Sequence, residues 1–89
     1  EKAIRELALV QNKIACSLYS EKKFEEAFRY FVLAADQGFT EGEFNLGLCY
    51  RYGKGTEVDL GKARYWYERA AAKGYELATR NLADLDARV

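Results

Sequence analysis

Histidine and proline are absent from the 89 residues, cysteine occurs twice, and the charges cancel, with 14 basic against 14 acidic side chains. Each lack excludes something. Without histidine the chain has lost the commonest general base near neutral pH, and neither cysteine has an imidazole to activate it as a nucleophile. Without proline nothing blocks a helix anywhere along the chain. Cys16 and Cys49 make no disulfide framework and no C-x-x-C metal spacing. Both fall inside helical patterns, so the expectation is two small buried hydrophobes; a bridge between them would instead place the chain in an oxidising compartment. The balanced charge lacks the basic excess of a nucleic-acid binder. No apolar run reaches the roughly 18 residues of a membrane-spanning helix, and no signal-peptide pattern is legible, which leans toward a cytoplasmic setting. The chain opens on Glu1 rather than Met, as a processed chain or a fragment of a longer array would.

What is present is core material. Hydrophobic residues make up 49% of the chain, and aromatics number 13 (7 Tyr, 5 Phe, 1 Trp). That excludes disorder, in a single domain small enough to hide only about 60–65% of its unfolded surface. The material is also written twice. Ala34-Ala35-Asp36-Gln37-Gly38-Phe39 and Asn45-Leu46 return as Ala70-Ala71-Ala72-Lys73-Gly74-Tyr75 and Asn81-Leu82, 36 residues later. Ala27/Ala63, Tyr30/Trp66 and Phe31/Tyr67 keep that register. A period of this length marks a helical repeat array.

Apolar spacing of three and four predicts the helices. The first spans about residues 2–20 on Ile4, Leu7, Ala8, Ile14, Ala15 and Leu18, the second about 24–37 on Phe24, Ala27, Phe28, Phe31, Ala34 and Ala35. The third spans about 40–52. After the Gly53–Asp59 loop, with Asp59 as N-cap, the fourth runs over about 60–73 on Ala63, Trp66, Tyr67, Ala70 and Ala71. Gly38 and Gly74 are the expected helix stops. A fifth helix carries Leu77, Ala78, Leu82, Leu85 and Val89, with Thr79, Arg80, Asp84, Asp86 and Arg88 on a polar side suited to a terminal unit. The helices therefore pair, A with B, and the chain is all-α. The A helices repeat after 32 residues (Ile14/Leu46, Ala15/Gly47, Leu18/Tyr50), the B helices after 36, and the difference sits in the Gly53–Asp59 loop. Small residues at Ala15, Gly47, Ala27 and Ala63 let paired axes approach, with Phe31 and Tyr67 filling the adjoining space.

Residues 43–82 resemble the Sel-one-like repeat, a subfamily of the tetratricopeptide repeats. The resemblance rests on Leu46-Gly47-x-x-Tyr50-x-x-Gly53-x-Gly55-x-x-x-Asp59, then Lys62-Ala63-x-x-Trp66-Tyr67-x-x-Ala70-Ala71-x-x-Gly74, Ala78 and Leu82; Thr56 replaces the usual valine. Residues 8–41 resemble the shorter tetratricopeptide form through Ile14, Ala15, Leu18, Ala27, Phe31 and Ala34, and lack the glycine loop. The division implied is a tetratricopeptide-like repeat at 8–41, a Sel-one-like repeat at 42–75 and a capping helix at 76–89. The resemblance also implies an α-solenoid of about five helices, A helices lining a concave groove, and a role as adaptor or scaffold in assembling protein complexes.

No chemistry competes with that. Gly53-Lys54-Gly55-Thr56 has the wrong order for a phosphate loop and no preceding strand, so it is expected to be a turn that uses glycine's backbone freedom. The carboxylates Glu25, Glu26, Glu41, Glu43, Asp84 and Asp86 form no metal-like cluster and are expected on solvated faces. Tyr65-Trp66-Tyr67 could stack bases, but helical spacing turns Trp66 and Tyr67 inward and leaves Tyr65 exposed. No catalytic residue, metal or cofactor is expected, and the chain is not expected to be an enzyme. In the resembling family the groove is lined from the A helices, here Leu9, Asn12, Cys16 and Tyr19; Phe44, Leu48, Arg51 and Tyr52; and Leu77, Arg80 and Asp84. Asn12, Tyr19, Phe44, Leu48, Arg51 and Arg80 are the candidate contacts, with Phe44, Arg51 and Arg80 exposed. They would receive a peptide or helix of another protein, arginine holding a carboxylate. The alternative is a structural end piece of a longer solenoid, a homo-oligomer by end-to-end stacking. Nucleic acid and membrane are not expected partners.

Overall fold

The close spacing of small residues brings five helices together in sequence. In the computed structural model, which describes residues 2–87, they are α1 (Lys2–Ser20), α2 (Phe24–Asp36), α3 (Thr40–Tyr52), α4 (Leu60–Ala72) and α5 (Glu76–Ala87). Arg88 and Val89, placed by sequence in the fifth helix, lie outside the described residues, as do the side chains of residues 2–4, Ile4 included. There is no strand among the described residues. Each helix packs on its neighbour, and α1 also touches α3. The odd-numbered helices thus form one layer and the even-numbered helices the other, the arrangement of an α-solenoid.

The helix ends show why the chain turns where it does. Phe39 and Gly38 donate their backbone N–H groups to Ala34 and Ala35 carbonyls, at 3.2 and 2.9 Å. Tyr75 and Gly74 do the same to Ala70 and Ala71, at 3.2 and 2.9 Å. This pair of bonds satisfies carbonyls that a helix end leaves open. The first turn uses the same device without a glycine: Lys23 donates to Leu18 and Lys22 to Tyr19, and Lys22 itself sits at φ 64°. Asp59 caps α4 as expected, its carboxylate accepting from the Lys62 N–H at 3.0 Å. The Gly53–Asp59 loop folds back on the first repeat. A side chain at Gly55 would run into the Phe24 carbonyl, and the Lys54 ammonium lies 4.8 Å from the centre of the Phe24 ring.

Two cores follow, the first joining α1 and α2 to α3 and the second joining α3 and α4 to α5. Ala15, Ala27, Phe31, Ala35, Leu46 and Cys49 form the first; Phe44, Ala63, Tyr67, Ala70, Ala78 and Leu85 form the second, with Tyr50 packed against both. The expected close approach is real: a Cβ at Gly47 would stand 2.7 Å from two carbons of the Tyr67 ring. Two expectations fail in α1. Leu7 and Ile14, assigned to its inner stripe, are exposed, and Ala8 and Ala15 carry the contact instead. Cys16 is exposed, not buried like Cys49; both are free thiols. Ala15 makes the close contact with the first core and the half-buried Leu18 packs against it, while Leu7, Leu9, Val10 and Ile14 are exposed.

Two glycines near the Tyr67 and Asp59 ends of this packing predict opposite outcomes for one exchange. Helix propensity favours alanine over glycine by about 1 kcal/mol. At Gly61, where a Cβ meets only Asp59 Oδ1 at 3.4 Å, Gly61→Ala should raise urea stability. At Gly47 crowding by the Tyr67 ring, worth about 1–3 kcal/mol, should win, and Gly47→Ala should lower it. In the first turn, Lys22→Gly should stabilise by about 1 kcal/mol by relieving the left-handed backbone, read as a raised melting temperature.

Candidate protein-binding face

Residues seven apart on one helix share a side, and the helix neighbours decide which sides stay open. Asn12 and Tyr19 share a side of α1, and that side meets α2 and α3. Asn12 is buried and its Oδ1 accepts from Asn45 Nδ2 at 3.1 Å; the half-buried Tyr19 ring packs edge-on against Phe24, centroids 4.9 Å apart. Phe44 and Arg51 share a side of α3, and that side meets α4 and α5. Phe44 is buried between Tyr67 and Tyr75, centroids 5.7 and 5.2 Å away. Arg51 is buried, donates from Nη1 to Asn81 Oδ1 at 3.1 Å and from Nη2 to Asp84, and lies over the Tyr52 ring at 5.2 Å. The expectation that Phe44 and Arg51 are exposed is therefore overturned. Packing of α4 and α5 covers that side of α3, and the Asp84 hydrogen bond holds the guanidinium and keeps it charged.

The open surface lies about one residue further round. Leu9 and Cys16 of α1, Leu77 and Arg80 of α5 and Tyr52 of α3 are exposed, and Leu48 is half-buried. Of the six candidate contacts, the structure leaves Arg80 exposed, puts Tyr19 and Leu48 on the wall of a small cavity, and takes Asn12, Phe44 and Arg51 inside. The cavity, about 170 Å³, opens between α1 and α3 and is lined by Cys16, Tyr19, Phe31, Asn45 and Leu48. Burial and the nearby Glu41 carboxylate push the Cys16 thiol up, and burial pushes Cys49 up to about 12. Neither is poised as a thiolate at neutral pH.

Glu43, expected on a solvated face, is wholly buried. Its carboxylate accepts from Arg69 Nε at 3.1 Å and Lys73 Nζ at 2.9 Å, and Lys73 also reaches the Gly38 carbonyl at 2.7 Å. Gln11 stands at the matching place in the first repeat, and there Gln37 Nε2 donates to Gln11 Oε1 at 2.5 Å. One inter-helix latch is thus made with amides in the first repeat and with ions in the second. Its signal in the sequence was the paired register of Gln11/Glu43 and Gln37/Lys73. Among the described residues no cluster of three or more His, Cys, Asp or Glu could hold a metal ion, and no helix is long and apolar enough to cross a membrane.

The family is decided by comparison with family models. The Sel1 repeat matches residues 2–39 and again 40–75. The chain belongs to the Sel1 repeat family. The match takes in the first repeat although it lacks the glycine loop. The chain is similar to DAP3-binding cell death enhancer 1 of Rattus norvegicus, 46% identical over 61 residues, covering 68% of this chain and 12% of the relative. It is also similar to the chitin synthase regulator SKT5 of Saccharomyces cerevisiae, 36% identical over 66 residues (74% and 10%). A third relative is the uncharacterised protein NMB1327 of Neisseria meningitidis, 39% identical over 70 residues (79% and 15%). The matched stretch is thus at most a seventh or so of each of these relatives. Sel1 repeats form a non-catalytic scaffold family and generally mediate protein–protein interaction.

The two arginines predict opposite behaviour on charge reversal. Arg51→Glu sets a carboxylate against Asp84 in a buried place and should cost about 2–4 kcal/mol, seen as a lower urea midpoint. Arg80→Glu, on an exposed helix face, should move stability by no more than about 0.5 kcal/mol.

Proposed function

We propose that this chain is a protein-interaction module and that its partner lies across the open face of α1, α3 and α5. The observation that carries the proposal is that Leu9, Leu77 and Tyr52 are exposed on the layer made by these helices, and that a cavity opens between α1 and α3 in the same layer. Exposed apolar groups and a cavity on one helical layer suit a docked polypeptide segment. Arg80 adds a cation at the α5 end for a carboxylate of the partner. One relative is named for binding DAP3 and another as a regulator of chitin synthase. In this reading residues 8–41 and 42–75 are the stacked units, and α5 caps them, with Arg64 and Asp86 pairing across α4 and α5.

A second reading, stacking end to end with further repeats, is favoured by one feature. Leu7, Val10 and Ile14 are exposed on α1 and hold the repeat positions that Phe39, at the N-cap of α3, and Gly42 and Leu46 within it hold. There the corresponding face receives α2: a Cβ at Gly42 would lie 2.8 Å from the Ala34 methyl.

Affinity capture with quantitative mass spectrometry separates the two. The double variant Leu77→Glu/Arg80→Glu should lose bound partners at least tenfold against the unaltered domain, while Leu33→Glu on α2 should lose none. Equal capture by all three removes the assignment of the face. Losses caused instead by Val10→Glu, together with concentration-dependent assembly in sedimentation, would establish stacking in its place.

A further inference from the structure

The two repeats allow each place between odd-numbered helices to be compared with its counterpart. The five residues that line the α1/α3 cavity, Cys16, Tyr19, Phe31, Asn45 and Leu48, correspond through the 32- and 36-residue offsets to Leu48, Arg51, Tyr67, Asn81 and Asp84. In that second set the space is filled. The Arg51 guanidinium spans it, donating to Asn81 and Asp84. The buried Tyr67 hydroxyl lies beside the guanidinium without a well-formed hydrogen bond among the described residues.

In the first set no described residue fills it. Tyr19 stands in the place of Arg51 and is drawn sideways onto Phe24, their rings meeting at 74°. Leu48 replaces the carboxylate of Asp84, and Phe31 replaces the phenol of Tyr67. What the second interface holds as an internal ion pair, the first leaves as an opening of about 170 Å³ walled by two aromatic rings, a leucine and a thiol. An apolar cavity of roughly 150 Å³ accommodates a benzene molecule. The single amide on the wall, Asn45, gives its NH₂ to Asn12, which leaves its carbonyl oxygen as the acceptor for a main-chain N–H.

We infer that this cavity is the anchor subsite of the interaction face: it takes one leucine- to phenylalanine-sized apolar side chain of the partner polypeptide, and Asn45 accepts from the main chain beside it. The inference rests on the reading of the open face as a docking surface and names what that surface selects. An apolar anchor buried in a pocket is the kind of contact that dominates binding energy at interfaces. An anionic side chain is disfavoured there, because the lining residues offer it no counter-ion and the Glu41 carboxylate lies near Cys16.

Cys16 supplies the reporter, since it lines the cavity and is exposed, while Cys49 is buried. The intact protein is offered equal amounts of the symmetrical disulfides of 2-phenylethanethiol and 2-mercaptoethanol at pH 8.5, with the free thiols present to keep exchange reversible. The Cys16 thiolate attacks a probe sulfur, a mixed disulfide forms, and one probe thiol leaves. Peptide mapping then gives the adduct ratio at Cys16. The expected result is a phenylethyl excess at least tenfold above that of a short unstructured cysteine peptide. The variant Tyr19→Arg/Leu48→Asp transplants the Arg51–Asp84 pair of the second interface and should bring the ratio down to that of the peptide. If that variant does not fold, Leu48→Lys at the half-exposed wall should do the same. A wild-type ratio equal to the peptide's overturns the inference, as does a folded variant that keeps the preference. The probe needs no partner protein, so its failure removes the subsite alone, whereas failure of the capture experiment removes the docking face.

Discussion

The ring of Tyr67 occupies the space that any side chain at Gly47 would need, and most of the second repeat depends on that contact. With no Cβ in the way, α4 comes close enough to α3 for Ala63 and Ala70 to be fully buried and for Phe44 to pack against Tyr67 and Tyr75. The same approach brings Arg69 and Lys73 of α4 within reach of the Glu43 carboxylate on α3. A buried carboxylate is costly unless it is paired and hydrogen-bonded, and here both oxygens have a cation. Small residues thus set the distance, the aromatic ring fills what remains, and the ion pairs fix the rotation of one helix on the other.

The first repeat solves the same geometric problem with weaker chemistry. An amide pair, Gln11 and Gln37, replaces the ion pairs of Glu43, a lysine replaces glycine in the left-handed position of the turn, and Phe31 replaces Tyr67. None of these changes the helix layout, because the layout follows from alanines at Ala15, Ala27 and Ala35 that are present in both units or matched by glycine. They change what lies between helices of the same layer. Where Arg51 bridges α3 and α5 the surface is sealed by internal hydrogen bonds; where Tyr19 turns away between α1 and α3 it is open.

That contrast bears on function. Sel1 repeats generally mediate protein–protein interaction. In this chain the framework consumes much of the candidate chemistry. Arg51, Asp84, Glu43, Lys73 and Asn12 are all engaged in holding helices together. Leu9, Leu77, Tyr52 and Arg80 remain exposed on the odd-numbered helices, and a small cavity opens between α1 and α3.

The sequence by itself determined the helix count, the pairing, the Asp59 cap, the two glycine stops and the family, because each rests on local spacing or on a repeat that can be read by superposing one stretch on another. It determined the close contact at Gly47 and Ala63 for the same reason. It did not determine which side of each odd-numbered helix stays open. Those helices have neighbours on more than one side, so their apolar pattern is broad, and a shift of one residue turns the face by about 100°. Spacing alone turns Phe44 and Arg51 outward and Leu7 and Ile14 inward; the packing of α2, α4 and α5 decides the reverse. Nor could spacing show that Glu43 would be buried between two cations, or that Tyr19 would lean on Phe24 and leave a cavity. Those are decided by contacts between residues far apart in the chain, which only the packed tertiary structure brings together.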